Sequence, residues 1–216
     1  MDFCPEGHRK HIQILDNLAN SFRVCYKLNG NISDLNRAIE LFQARLDLCP
    51  PGHPNHATAL GGLALALREY YKIHPNQTDL DKIIEMRQKR LDLCPLGHSN
   101  HTEAPGHLAT SLRNCYKVQG NMADLNKAID MQQKRLNLCL VGHPEHSVAL
   151  DNLAVSLSTW YNVQHNLADL DEAMLLREQN LSLCPVCYAK DKSSTKGRRP
   201  ERSGQREVLM KRRNVL

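Results

Sequence analysis

The chain has 216 residues, with 28 Lys/Arg against 23 Asp/Glu and a formal net charge of +5 at pH 7. That length suits one ordinary domain or a short repeat array. No apolar run is long enough to span a bilayer, and the start, MDFCPEGHRK, lacks the apolar core of a secretory signal.

The start already lies inside a motif that returns. CPEGHRKH begins at Cys4, CPPGHPNH at Cys49, CPLGHSNH at Cys94 and CLVGHPEH at Cys139, in steps of 45 residues; an altered copy, CPVCYAKD, follows at Cys184. Tyr26, Tyr71, Tyr116 and Tyr161 keep the same interval, as do Leu35, Leu80, Leu125 and Leu170. A fixed period of this size predicts stacked supersecondary units. Five of the 8 cysteines are equivalent in successive repeats. Stacking should hold them beyond the ~7 Å that a disulfide can bridge between Cα atoms. They read as reduced thiols in a cytoplasmic protein, with a nuclear location as the alternative.

The repeat opening at Cys49 shows the local logic. His53 precedes Pro54 and is disfavoured in the helical region, whereas Pro54 suits a first helical position. Leu60, Leu63, Ala64, Leu67 and Tyr71 recur at spacings of three and four and predict a first helix ending near Ile73. HPNQ breaks it, and Thr78 with Asp81 has the form of a capping box. Leu80, Ile83, Ile84, Arg87 and Leu91 then mark a second helix that stops at Cys94-Pro95. Each repeat is a helical hairpin that cannot bury its apolar face alone.

The segments LDNLANSF (15–22), LGGLALAL (60–67) and LDNLAVSL (150–157), with DLNRAIELFQARLDLCP (34–50) and DLDEAMLLREQNLSLCP (169–185), resemble the two helices of tetratricopeptide repeats. With GHP before the first helix, the repeat is most similar to the kinesin light chain-like subclass, as in the long-period arrays of large fungal proteins. The resemblance covers residues 4–185. It implies an all-α, right-handed superhelix of four helix-turn-helix repeats (4–48, 49–93, 94–138 and 139–183) that needs no cofactor and presents a concave groove to a peptide or partner protein.

Three departures stand out. A usually small position of the second helix carries Arg45, Arg90 and Arg135. Pro105 and Gly106 fall inside the third first-helix, where proline can cost ~3 kcal/mol. The asparagine that the resemblance assigns to peptide backbone contacts is present as Asn17 and Asn152 but replaced by Gly62 and His107.

Thiolate and imidazole together suit zinc, so Cys49, His53 and His56, and Cys94, His98 and His101, are the metal candidates. Each copy offers three ligands without an evident fourth, and the altered copy has Tyr188 and Asp191 in place of both histidines. Helix-entry punctuation explains the spacing without a metal. A Cys-His catalytic arrangement is equally unsupported, because these residues are repeated rather than unique. The reading is non-catalytic.

Residues 184–216 carry ten basic and three acidic residues, which leaves 18 and 20 for the array. This segment reads as a mostly disordered basic tail, with nucleic-acid association or nuclear import as the functional alternative. Leu170, Ala173, Met174 and Leu181 have no following hairpin to cover them, so the tail or self-association is expected on that face.

Arg23, Arg68 and Arg113 recur one residue after the core positions of the first helices. Such a row can look into a groove and hold an acidic segment bidentately; the alternative is solvated heads lying over apolar surface. Asn17, Asn20 and Asn152 would add hydrogen bonds to the backbone of that segment.

Overall fold

A computed structural model describes residues 6–94 and 101–183. Among them are eight helices and no strand: α1 (Glu6–Asn29), α2 (Ile32–Asp47), α3 (His56–Ile73), α4 (Gln77–Asp92), α5 (Glu103–Gln119), α6 (Met122–Leu138), α7 (His146–Gln164) and α8 (Leu167–Ser182). The chain divides into two compact units at Arg177–Glu178. The helical array up to Arg177 is the first unit. Of the second, the described residues are 178–183, the last turn of α8 and Leu183. The basic tail lies outside the described residues, as does His98.

Each hairpin turn is set by an asparagine. Asn31, Asn76 and Asn121 accept hydrogen bonds on their side chains from the backbone N–H groups of Ser33, Asp79 and Ala123, and so cap α2, α4 and α6. Asn166 accepts likewise from Ala168 at the start of α8. The Thr78–Asp81 capping box expected from sequence is therefore corrected to Asn76, two residues earlier. Pro54 is also displaced. It sits in the turn before α3, which opens at His56.

Pro105 does not break its helix. α5 opens at Glu103, so Pro105 is its third residue. The first four N–H groups of a helix have no intrahelical acceptor, and a missing donor there removes no bond.

Successive helices pack in chain order, α1 on α2, α2 on α3 and so on to α7. Ala19, Ala38, Phe42, Leu63 and Ala66 form one buried cluster across α1, α2 and α3. Leu108, Ala109, Leu112, Ala128 and Met131 join α5 to α6, with Ile84 and Leu91 of α4 against them. Burying each leucine of this kind contributes about 1.5–3 kcal/mol. The core is therefore a series of clusters, each shared between neighbouring helices, as a repeat stack requires. At the far end Ala173 is fully buried against α7, contrary to the exposure expected of it, because the cluster Leu150, Leu153, Ala154 and Leu157 covers it. Leu170 is half-buried, while Met174 and Leu181 are exposed.

The recurring Cys-x3-His-x2-His pattern is a clamp between repeats. The Nδ1–H of His56 donates to the Cys49 carbonyl at 2.6 Å, and that of His101 to the Cys94 carbonyl at 2.6 Å. His146 repeats the contact with Cys139. The Nδ1 atoms of His53 and His143 instead accept from the backbone N–H two residues on, at 3.1 Å each. One histidine thus shapes the turn and the other ties the entry of a first helix to the end of the preceding second helix. The cysteine side chains are buried, and burial pushes the Cys94 and Cys139 thiols up, away from the thiolate that a metal requires. Among the described residues no group of three or more His, Cys, Asp or Glu side chains is placed to hold a metal ion. His56→Ala should cost about 1 kcal/mol in urea unfolding, and a chelator should leave the wild-type melting temperature unchanged. A drop on chelation would restore the metal reading.

Candidate functional site

A cavity of about 1290 Å³ opens along the first three hairpins. Enclosed sites for small molecules usually run to about 300–1,000 Å³, so this one has room for a length of peptide. First helices supply Asp16 and Asn20 (α1), Thr58, Gly61 and Gly62 (α3) and Glu103 and His107 (α5). Second helices reach it through Phe42, Arg45, Arg87 and Arg90.

The arginines are packed in and held. Arg45 is 7% exposed. Its Nη1 lies 2.8 Å from Asp16 Oδ1, and its Nη2 donates to Thr58 Oγ1 at 3.1 Å. It therefore ties α2 to the first helix of its own repeat and to that of the next. Arg90 occupies the same position in the second repeat. Its Nη1 donates to His107 Nδ1 at 3.1 Å, and Glu103 stands 3.9 Å away. Here α3 carries Gly61 where α1 carries Asp16, and a Cβ on Gly61 would come within 3.0 Å of the Arg90 Nε. Glycine lets the guanidinium lie across the helix backbone. Gly106 does the same for Arg135, whose Nη2 pairs with Glu145 at 2.8 Å.

Arg87, one turn before Arg90, is buried and donates from Nη1 to the His107 carbonyl and to Ser111 Oγ, both at 2.5 Å. Burial lowers its pKa to about 9, with Arg68 and Arg90 adding like-charge repulsion and Glu69 opposing it. Burial, and then Arg87, Arg90, Arg135 and Arg68, press the His107 pKa down to about 3, so this imidazole is neutral. Four arginines and two carboxylates line the cavity, which leaves an excess of positive charge.

Of the residues singled out by sequence, Asn20 lines this cavity, while Asn17, Arg23, Arg68, Arg113 and Asn152 are not among its lining residues. Arg23 reaches back to Asn20 Oδ1 at 3.4 Å, and Arg68 lies 3.8 Å from Glu69. Arg113 is half-buried, its pKa lowered by burial against the pull of Asp151. The cations that line the cavity come mostly from the second helices. Arg45 and Arg90 are two of the three arginines that sequence marks only as a departure.

No protein-family model matches the chain, and no curated protein matches it. Solved structures do. The fold is a helical repeat. Two crystal structures of nearly identical TPR-like repeats from Podosopora anserina, described as kinesin light chain, superpose with TM-scores of 0.55 and 0.54. Their identities are 17% and 15%; the matches cover 85% and 82% of this chain and 77% and 80% of the others. A de novo designed helical repeat protein, 17% identical with a TM-score of 0.46, covers 83% of this chain and 95% of its own. At such identities the likeness concerns the fold.

Proposed function

We propose that the array is a non-catalytic scaffold of the kinesin light chain-like kind, holding an extended, acidic protein segment in the cavity of its first three repeats. The observation that carries this reading is a cavity of about 1290 Å³ whose floor is made of buried, cross-braced arginines in excess of carboxylates. A side chain already fixed by neighbouring helices loses little conformational entropy when it meets a ligand, so such arginines are preorganised donors. Asn20 supplies an amide at the same wall. A positive cavity also raises the encounter rate with an acidic partner, an advantage that salt removes.

Fluorescence anisotropy with a labelled, glutamate-rich dodecapeptide tests this. Binding should be measurable at low salt, absent for a lysine-rich peptide of equal length, and progressively weaker as the Debye length falls below ~10 Å. No binding of the acidic peptide at low salt would refute it. Alanine at Arg23, Arg68 and Arg113 forms the second arm. Unchanged affinity would place the contact on the second-helix arginines, and lost affinity would place it on the first-helix row.

A further inference from the structure

We propose that Arg87, Arg90 and His107, where α3, α4 and α5 meet the cavity, form a subsite for a phosphomonoester dianion. The proposal deepens the scaffold reading, since it assigns the chemistry of one group on the bound segment.

The first ground is convergence. Two guanidinium groups are held on one residue. Arg87 Nη1 bonds the His107 carbonyl at 2.5 Å, and Arg90 Nη1 bonds the His107 ring at 3.1 Å. Both arginines are more than nine-tenths buried and both line the cavity. The Arg90 Nε is buried without a partner, as are those of Arg45 and Arg135.

The second ground is charge. Arg68 and Arg135 are close enough to act on the same imidazole. Around His107 there are thus four arginines, with Lys72 next to Arg68 through their shared contact to Glu69. The neighbouring carboxylates are Glu69, Glu103 at 3.9 Å from Arg90, and Glu145 at 2.8 Å from Arg135. Among the described residues just named, five are cations and three are anions. Among the described residues Arg87 forms no ion pair within 4 Å; its two bonds go to a carbonyl and a hydroxyl. Glu69 acts on Arg87 only from beyond that distance, and a buried charge without a close counter-charge is destabilising. A single group carrying close to two negative charges removes the excess that one carboxylate would halve. Phosphomonoesters carry about −1.5 to −2 at neutral pH and present three acceptor oxygens, and arginine matches them in bidentate fashion.

The third ground is register. The position of Arg87 holds Phe42, Gln132 and Arg177 in the other repeats, and that of Arg90 holds Arg45, Arg135 and Asn180, so the second repeat is the one of the first three that carries arginine at both. A residue other than arginine stands at each place in at least one repeat. The substitutions Arg87→Gln and Arg90→Asn therefore install residues that the array itself uses there.

The test uses the full chain at fixed ionic strength. Inorganic phosphate and acetate are compared by their effect on the melting temperature. The glutamate-rich dodecapeptide is then compared with the same peptide carrying one central phosphoserine. Phosphate should stabilise the wild type where acetate does not. The phosphoserine peptide should bind roughly tenfold tighter than its serine counterpart, the worth of one good charge-assisted pair. Both preferences should vanish in the Arg87→Gln/Arg90→Asn variant; if that variant loses helical circular dichroism, Arg90→Asn alone decides. Equal response to phosphate and acetate, or a preference that survives the substitutions, overturns the subsite. Preference for phosphate with no binding of any peptide leaves the subsite standing and removes the scaffold reading. Peptide binding indifferent to phosphorylation does the reverse.

Discussion

Phe42→Ala should lower the unfolding free energy by about 3–5 kcal/mol, the largest loss expected from any single truncation in the first three repeats. Phe42 is 1% exposed and packs with Ala19, Ala38, Leu63 and Ala66, so its ring fastens α1, α2 and α3 together. Three of these four neighbours are alanines and cannot close the void by changing rotamer. The ring also lies on Gly62, where an added Cβ would come within 2.8 Å of it. This gives a second, coupled result. The Asn present at the equivalent positions 17 and 152 should not be transferable to position 62 while Phe42 is present, because the ring, with Arg45 Nη1 beside it, occupies its space. Gly62→Asn should destabilise the wild type but cost less in the Phe42→Ala background. Urea unfolding of the four proteins, with m-values compared to check that one transition is being read, measures the coupling. A loss below about 1 kcal/mol for Phe42→Ala would mean that the ring is not a fastener.

What could be read from sequence, and what could not, follows from how far each signal reaches along the chain. The hairpins are legible because Leu60, Leu63, Ala64 and Leu67 lie on one face of one helix, and their spacing alone declares it. The Asn caps carry their own signal, since Asn31, Asn76, Asn121 and Asn166 keep the 45-residue interval. A search for a Ser/Thr capping box passes over them. The arginines are harder. Position 45 and its equivalents look anomalous in a small-residue slot, but the space that each one fills is created 29 residues earlier. Asp16 pairs with Arg45, Gly61 makes room for Arg90, and Gly106 makes room for Arg135. A glycine read on its own helix suggests only lost helix propensity. Its purpose appears once the next helix is laid across it. The Cys-His motif is misleading for a related reason. Ligand chemistry can be read from residue types, whereas the contact that occupies His56 is to a backbone carbonyl, which no side-chain pattern reveals.

His107 gives the array an acid sensitivity that can be isolated. Its folded-state pKa is about 3 against an ordinary value of 6.5, because burial and the arginines Arg87, Arg90, Arg135 and Arg68 all oppose a further positive charge. The sign follows from proton uptake. In the unfolded chain the imidazole takes a proton as pH falls through 6.5, while in the folded array it stays neutral until about pH 3. Acid therefore stabilises the unfolded state first. The loss begins near pH 6.5, grows through the interval down to pH 3, and is absent at higher pH. Between pH 7.5 and pH 5 the contribution is about 2 kcal/mol. His107→Asn installs the residue found at the equivalent positions in α1 and α7, Asn17 and Asn152. It offers Arg90 an amide oxygen in place of the ring nitrogen. Other titrating groups shift both proteins alike, so the informative quantity is the difference between them. Urea unfolding at pH 7.5 and pH 5 should show the wild type losing about 2 kcal/mol more than the variant. Equal losses would mean that His107 gains its proton in the folded array at an ordinary pH. The four arginines would then not press on the imidazole as their positions require.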